Sequence, residues 1–176
     1  MNTRYEWLAR LVNDGHFTAG AEVGCKDGIT TGYLLKNCLQ LKLYAVDLWE
    51  FRSEVLSNEA CEVLKKYDYK KIYENFLRNT FPYYDRLTIL KGVSWEEAQK
   101  VLDSSLDFVF IDADHAYESV CRDIQAWTPK LKRKGILCGH DINSYIGVQQ
   151  AVEDLFVSWH DTGINEVWWC YKELLR

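Results

Sequence analysis

The sequence predicts a single α/β domain with a Rossmann-like, doubly wound and mostly parallel sheet that has one antiparallel strand near its edge. Its 176 residues are about the length of one domain. Short apolar runs of strand length alternate with segments of helical spacing, a pattern typical of parallel strands joined by right-handed crossovers. The last apolar run follows a short turn at residues 161–163, and a tight turn can join only antiparallel neighbours.

Composition narrows the classes of function. Hydrophobic residues make up 48% and charged residues 27% of the chain, an ordinary globular balance. The formal charge of −5 disfavours non-specific binding to the phosphate backbone of nucleic acid, which needs a basic surface. The six cysteines form no CxxC pair, so we expect free thiols and a cytoplasmic location. Because the start of the chain is polar and no apolar run approaches ~20 residues, we expect no membrane contact.

The first part of the chain reads as helix, strand, helix and strand in turn. Apolar side chains at helical spacing predict the first helix, and an Asn-Asp-Gly sequence ends it. Both strands are short and nearly all apolar, as burial on both faces requires. The predicted ranges are residues 3–13 for the first helix, 18–23 for the first strand, 29–38 for the second helix and 42–47 for the second strand.

A helical insertion is predicted at about residues 50–82 of the single domain 1–176. The connection between the second and third strands exceeds what one crossover needs by roughly twenty residues. Its pattern predicts two helices separated near Asp68. One interpretation is an amphipathic helix pair with a solvated lysine face. The alternative is a pocket for an anionic acceptor, lined by Lys65, Lys66, Lys70, Lys71 and Arg78.

The second part of the chain continues the alternation. Ser94 and Glu97 have the spacing of a capping box, which predicts a helix from there to about Leu102. Pro129 ends a later helix, because the residue before a proline avoids the helical conformation. The predicted strands are 86–90, 106–111, 135–139 and 166–171, with a short one near 157–162, and the predicted helices are 116–127 and 146–158.

A glycine loop and two acidic residues predict a nucleoside site. Gly24 and Gly28 follow the first strand, where backbone N–H groups and a helix N-terminus can approach a ligand closely. Asp47 ends the second strand, and a carboxylate there can accept hydrogen bonds from both ribose hydroxyls. The Gly-x-x-x-Gly spacing is not the pattern that serves a pyrophosphate. Glu22 would repel a pyrophosphate, but it suits a cationic ligand such as S-adenosylmethionine.

These residues and two later segments resemble class I S-adenosylmethionine-dependent methyltransferases. The segments are Phe110-Ile-Asp112-Ala-Asp114-His115-Ala-Tyr117 and Gly139-His140-Asp141. The closest likeness is to the branch with an Ile-Asp-x-Asp-His-x-Tyr segment, which includes cephalosporin- and sugar-associated O-methyltransferase-like proteins. By position, the resemblance implies contacts with S-adenosylmethionine from Glu22, Gly24, Thr30, Thr31, Asp47, Gly92, Val93, Ser94 and Asp112, with Thr30 and Thr31 near the cofactor's carboxylate.

The candidate catalytic groups follow the fourth and fifth strands, whose carboxyl ends meet at one edge of a parallel sheet. His115 and His140 are candidate general bases, since imidazole titrates near neutral pH. Asp112, Asp141 and Asn143 are instead candidate Mg²⁺ ligands, which would lower the pKa of a bound hydroxyl. The aspartates after the fourth strand also suit caps of the helix that follows.

The expected function is O-methylation of a small or sugar-like acceptor, with S-adenosylmethionine and, if the carboxylates bind metal, Mg²⁺ as cofactors. The expected partner is a small-molecule acceptor rather than nucleic acid or a membrane, and homo-oligomerisation is left open. Two alternatives remain at this stage. One is a catalytically inactive binding module with a methyltransferase fold, and the other is another nucleotide-cofactor Rossmann enzyme, such as a dehydrogenase.

Overall fold

Seven strands and seven α-helices make up the computed structural model, which describes residues 3–176. The strands are β1 (Ala19–Val23), β2 (Lys42–Asp47), β3 (Leu87–Lys91), β4 (Leu106–Ile111), β5 (Leu131–Gly139), β6 (His160–Asp161) and β7 (Trp168–Tyr171). The helices are α1 (Arg4–Asp14), α2 (Ile29–Asn37), α3 (Asn58–Leu64), α4 (Tyr69–Thr80), α5 (Ser94–Glu97), α6 (Tyr117–Trp127) and α7 (Ile146–Leu155).

The strands form one sheet in the order β3-β2-β1-β4-β5-β7-β6. Strands β1 to β5 are parallel, and β7 pairs antiparallel with both β5 and β6. The predicted fold class is therefore confirmed, including the single reversed strand next to the edge. The strand order changes direction between β1 and β4, and ligands of open α/β sheets bind beside such a switch point, at the carboxyl ends of the strands.

Both faces of the sheet are covered by helices. On β4, Phe108 and Phe110 belong to the apolar cluster formed with α1 and α2, whereas Val109 and Ile111 belong to the cluster formed with α6 and α7. This alternation follows from the two-residue period of a strand. Because each face packs against helices, the central strands carry apolar residues throughout and hold their carboxyl ends rigidly in place.

Helix α5 begins differently from the prediction. The capping box expected at Ser94 is wrong, because Val93 is the residue that precedes the helix and Ser94 is already helical. The hydroxyl of Ser94 instead accepts a hydrogen bond from Trp127 Nε1 at 2.8 Å. A capping box is present at α1, where Thr3 and Glu6 each accept the other's backbone N–H. Tertiary packing of a tryptophan thus determines what Ser94 binds.

The connection between β2 and β3 contains α3 and α4. Asp68 accepts a hydrogen bond from the Lys71 backbone N–H at 3.0 Å and caps α4, so the predicted break between two helices lies where expected. Helix α4 buries Phe76 and Thr80. Helix α3 buries none of its residues, and the segment from 51 to 57 before it is not helical. Only the second helix of this connection is therefore anchored in the apolar core.

Three further boundaries differ from the sequence prediction. Strand β5 begins at Leu131, four residues earlier than predicted, with a shift in its register to β4 between Leu106 and Phe108. Helix α7 ends at Leu155, and β7 begins at Trp168. Within residues 3–176 we find no helix that combines the length and the apolar character needed to span a bilayer.

Candidate functional site

The carboxyl ends of β1, β2, β4 and β5 surround a cavity of about 720 Å³. The start of α1 and the connection that contains α3 complete its walls. Most of the predicted site residues line this cavity, namely Glu22, Gly24, Thr30, Asp47, Gly92, Val93, Ser94, Asp112, His115, His140 and Asp141. Thr31 and Asn143 do not line it. The topology thus brings the two groups of residues predicted from separate motifs to one place.

The glycine loop lies against the end of β4. Gly24 has a φ of 91°, and a Cβ built on it would lie 2.0 Å from the backbone oxygen of Asp112. Gly28 has a φ of 76° and precedes α2, with the ring of Phe76 2.8 Å from the position of its Cβ. A side chain at either position would collide with its neighbour in a backbone conformation that L-residues avoid. Glycine is therefore required for this loop to reach the switch point.

Glu22 is a fully buried carboxyl at the end of β1, with 1% of its surface exposed. The hydroxyl of Thr31 donates a hydrogen bond to its Oε2 at 2.5 Å. Burial raises the pKa of Glu22 from 4.5 to about 8, although the hydrogen bond from Thr31 and the charge of Arg4 act against the rise. Thr31 was expected near the carboxylate of a cofactor, but the structure directs its hydroxyl to Glu22 instead.

Asp47 is held at the end of β2 by backbone groups. Its carboxylate accepts hydrogen bonds from the backbone N–H of Lys26 at 2.8 Å and from that of Trp49 at 3.0 Å. Burial raises the pKa of Asp47, and these backbone hydrogen bonds limit the rise. The backbone oxygen of Asp47 also accepts the Gly92 N–H at 3.0 Å, which places the turn after β3 beside it. Trp95 lines the cavity just beyond this turn.

Asp141 joins the two histidines. His115 Nε2 lies 2.8 Å from Asp141 Oδ2, and His140 Nδ1 lies 2.9 Å from Asp141 Oδ1. Burial acts to raise the pKa of Asp141, but the hydrogen bonds from both imidazoles hold it well below its usual range. Burial acts to lower the pKa of each imidazole, but the hydrogen bond to Asp141 outweighs it, so both pKa values are raised. One carboxylate therefore orients both candidate bases.

The predicted metal ligands are only partly brought together. Ligand atoms of Asp112, His115 and Asp141 lie within 4.8 Å of one another. Asn143 does not line the cavity, and its exposed side chain donates a hydrogen bond to Asp161 Oδ2 at 3.3 Å. Its role as a metal ligand stays a prediction. His115, in the segment after β4, is the third member of this group.

Asp114 ties the cavity's outer wall to the loop after β4. It accepts hydrogen bonds from the backbone N–H and the hydroxyl of Ser57, both at 2.9 Å, and Ser57 is the N-cap of α3. It also accepts the Ala116 N–H at 3.2 Å and the Ser119 hydroxyl at 3.0 Å. Helix α3 places Ala60, Val63 and Leu64 along the cavity. Asp114 therefore holds the N-terminus of a helix that covers the site.

Sequence reasoning missed several residues of the cavity wall, and three of them contact the segment after β4. Arg4 reaches it from the first turn of α1, and Tyr145 stacks on His115 with ring centroids 3.9 Å apart. Ser57 is the third, as the partner of Asp114. Each lies far along the chain from the motif it contacts, so no local spacing could have revealed it. The insertion's lysines were considered as an anion pocket, but the Lys and Arg side chains among the lining residues are Arg4 and Lys26.

Comparison with known proteins identifies the class. A family model described as "Methyltransferase domain" matches residues 21–142, which include both groups of site residues. The chain belongs to this family. This confirms the resemblance to class I S-adenosylmethionine-dependent methyltransferases, a class of methyl-transferring enzymes.

Individual relatives are more distant. Solved structures with a similar fold include cofactor-bound Rv0187 from MTB, with a TM-score of 0.70, 16% identity, and coverage of 96% of this chain and 78% of that chain. An O-methyltransferase from Bacillus cereus in complex with SAH has a TM-score of 0.65 and 14% identity, covering 94% of this chain and 78% of that chain. An uncharacterized protein of Sinorhizobium fredii, y4gI, is 28% identical over 72 residues, which are 41% of this chain and only 8% of that protein.

Proposed function

We propose that the chain transfers the methyl group of S-adenosylmethionine to a hydroxyl of a small or sugar-like acceptor. The observation that carries this proposal is the placement of two sets of residues around one cavity at the switch point of the sheet. Gly24 and Asp47 lie on the β1 and β2 side, where they suit a nucleoside. His115 and Asp141 lie on the β4 and β5 side, where they suit proton removal from an acceptor.

The first set would hold the cofactor. The two oxygens of the Asp47 carboxylate are held by the backbone N–H groups of Lys26 and Trp49, and a carboxylate so oriented can accept ribose hydroxyls. Glu22 would stabilise the positive charge of the methionine end, since a cation beside this buried carboxyl favours its ionised form. In this arrangement adenine would lie against the residues of the turn after β3, which are Gly92, Val93, Ser94 and Trp95.

The reaction is an in-line displacement at the methyl carbon. The acceptor oxygen forms the new C–O bond while the C–S bond breaks, and the sulfur leaves with the electron pair as a neutral thioether. The protein must hold the acceptor in line and take the hydroxyl proton. His115 Nε2 faces Asp141, which makes it the protonated nitrogen of the neutral ring and leaves Nδ1 to accept that proton.

We assign the base to His115 and a positioning role to His140. The side chain of His115 is 32% exposed along the cavity wall, whereas that of His140 is 11% exposed. The Nε2 atom of His140 is shielded and has no hydrogen-bond partner among the described residues. By sharing Asp141, His140 fixes the orientation of the carboxylate that orients His115.

A divalent ion is a weaker element of the proposal. Asp112, His115 and Asp141 could hold one, and it would lower the pKa of a bound acceptor hydroxyl. An imidazole in the set suits Zn²⁺ better than Mg²⁺, which prefers oxygen ligands. The His115–Asp141 pair alone accounts for proton removal, and the two mechanisms differ in their response to a chelator.

Ligand binding and turnover test the proposal. We expect S-adenosylhomocysteine to raise the melting temperature, and NAD and uridine diphosphate to leave it unchanged. With methyl-labelled S-adenosylmethionine, label should pass to an acceptor from a panel of catechols and sugars. If no metal is used, EDTA should not change this transfer. Asp47→Ala should lose the shift, whereas Asp85→Ala, an exposed aspartate away from the cavity, should keep it. Stabilisation by NAD alone would contradict the proposal, and binding without transfer to any acceptor would favour an inactive binding module.

A further inference from the structure

Arg4 has no role in the proposal so far, although it is held firmly in the cavity wall. Its backbone N–H donates to Asn165 Oδ1 at 3.1 Å, and the capping box formed by Thr3 and Glu6 fixes the turn in which it lies. The side chain extends into the cavity and is one-third exposed. The first turn of α1 therefore delivers a permanent positive charge to the site.

Carboxylates surround this guanidinium. Its Nε lies 3.4 Å from Asp112 Oδ2, which is an ion pair without the geometry of a hydrogen bond. The charge of Arg4 also acts on the buried carboxyl of Glu22, so Arg4 lies at the β1 and β4 end of the cavity. None of the described residues accepts a hydrogen bond from its side chain. The shielded Nε therefore has no hydrogen-bond partner, and the charge of this one-third exposed side chain is only partly compensated.

The carboxylate at the amino-acid end of the proposed cofactor needs a cationic partner, and Arg4 can provide one. This end carries an ammonium and a carboxylate. Glu22 and Asp112 suit the ammonium, but they would repel the carboxylate. The hydroxyl of Thr31 is committed to Glu22. The other cationic side chain of the wall, Lys26, lies over the ring of Tyr67 at 5.0 Å and its backbone is tied to Asp47, at the ribose end.

We propose that Arg4 is the residue that binds the carboxylate of the cofactor and so distinguishes S-adenosylmethionine from adenosine thioethers that lack that group. This inference rests on the proposed function, because it names a contact of the same cofactor. An arginine can donate two parallel N–H bonds to a carboxylate, and such charge-assisted pairs are stronger than neutral ones. In this arrangement Arg4 exchanges part of its pairing with Asp112 for the ligand.

Isothermal titration with three ligands tests the assignment. The ligands are S-adenosylhomocysteine, its decarboxylated analogue S-adenosyl-3-thiopropylamine, and 5′-methylthioadenosine, which lacks the whole amino-acid end. Wild type should bind S-adenosylhomocysteine roughly 10- to 100-fold more tightly than the decarboxylated analogue, the scale of one charge-assisted pair. Arg4→Gln should abolish that difference and leave affinity for 5′-methylthioadenosine within about 2-fold.

Controls separate the assignment from a structural role. Lys26→Gln removes the other cation of the wall and should keep the preference for S-adenosylhomocysteine, and Arg4→Lys should keep part of it. If Arg4→Gln weakens all three ligands equally, Arg4 only maintains the fold near Asp112 and the inference is wrong. Equal affinity of wild type for the first two ligands also overturns it, whether or not any variant folds. If wild type binds none of the three, the proposed function fails, and this inference fails with it.

Discussion

Replacing Glu22 by glutamine should stabilise the protein at neutral pH and weaken cofactor binding at the same time. Glu22 is 1% exposed, and burial raises its pKa from 4.5 to about 8. Folding therefore favours the protonated carboxyl. Glutamine has nearly the same shape, can still accept the hydrogen bond from Thr31, and carries no charge to bury. The site thus keeps an acid at a cost in stability, as functional sites commonly do.

The size of the effect follows from the two pKa values. Because the folded-state value is the higher one, this group's contribution to stability is complete below pH 4.5 and is lost as pH rises toward and through about 8. At 1.36 kcal/mol for each pKa unit, Glu22 costs under about 1 kcal/mol at pH 5, about 3 at pH 7 and about 4 at pH 8. Glu22→Gln should recover roughly these amounts.

Urea unfolding at pH 5 and pH 8, followed by tryptophan fluorescence, measures the difference directly. The gain in unfolding free energy from Glu22→Gln should be several times larger at pH 8 than at pH 5. Glu74→Gln changes an exposed glutamate of α4 and should give no gain at either pH. If Glu22→Gln changes stability equally at both pH values, or destabilises the protein at pH 8, then the carboxyl is not buried in the way the structure shows and the reasoning fails.

Three other predictions concern the ribose contact of Asp47, the base His115, and helix α3, which covers the site. Asp47→Ala should weaken S-adenosylhomocysteine binding by ~1–3 kcal/mol in a calorimetric titration, and unchanged affinity would remove the ribose assignment. Turnover should rise with pH and level off only above the raised pKa of His115, because the base must be neutral to accept a proton. Asp141→Asn removes the carboxylate that raises this pKa, so it should move the rise in turnover to lower pH. Turnover that falls over the same pH range would exclude His115 as the base. Ser57→Ala removes the hydroxyl's bonds to Asp114 and to the Ala60 N–H, so it should increase hydrogen exchange in α3 by at least several-fold while α6 stays protected. Equal protection in both proteins would show that the Ser57 hydroxyl does not hold α3.

The topology and the position of the site could be predicted because they depend on local patterns. Short apolar strands and a glycine loop identify the switch point, and Asp47, Asp112 and Asp141 follow strand ends that a parallel sheet must bring to one edge. The single reversed strand followed from the tight turn before it. These features need only the order of elements along the chain, so the sequence contains enough information to place them.

The roles of individual side chains could not be predicted in the same way. Asn143 has the right spacing for a ligand, but its backbone carries it to the surface, where it binds Asp161. Thr31 turns away from the cavity because Glu22 is buried and needs a donor. Ser94 has the spacing of a cap, yet it is used by Trp127. In each case a packing contact of the folded chain decides what the side chain binds, and single-sequence patterns do not encode such pairs.

Asp114, in the loop after β4, both holds the N-terminus of α3 and shapes the loop that carries His115, and different hydrogen bonds serve the two roles. Asp114 makes two bonds to Ser57 of the cover and two within its own segment, to Ala116 and Ser119. The bonds of Asp114 to Ala116 and Ser119, and the bond of His115 to Asp141, do not involve Ser57. The position of the base therefore does not depend on the contact between Asp114 and Ser57. Ser57→Ala removes only the bonds of the hydroxyl and keeps the Ser57 N–H bond to Asp114, so it loosens α3 without altering the loop that carries His115. A change at Asp114 would alter α3 and the base together.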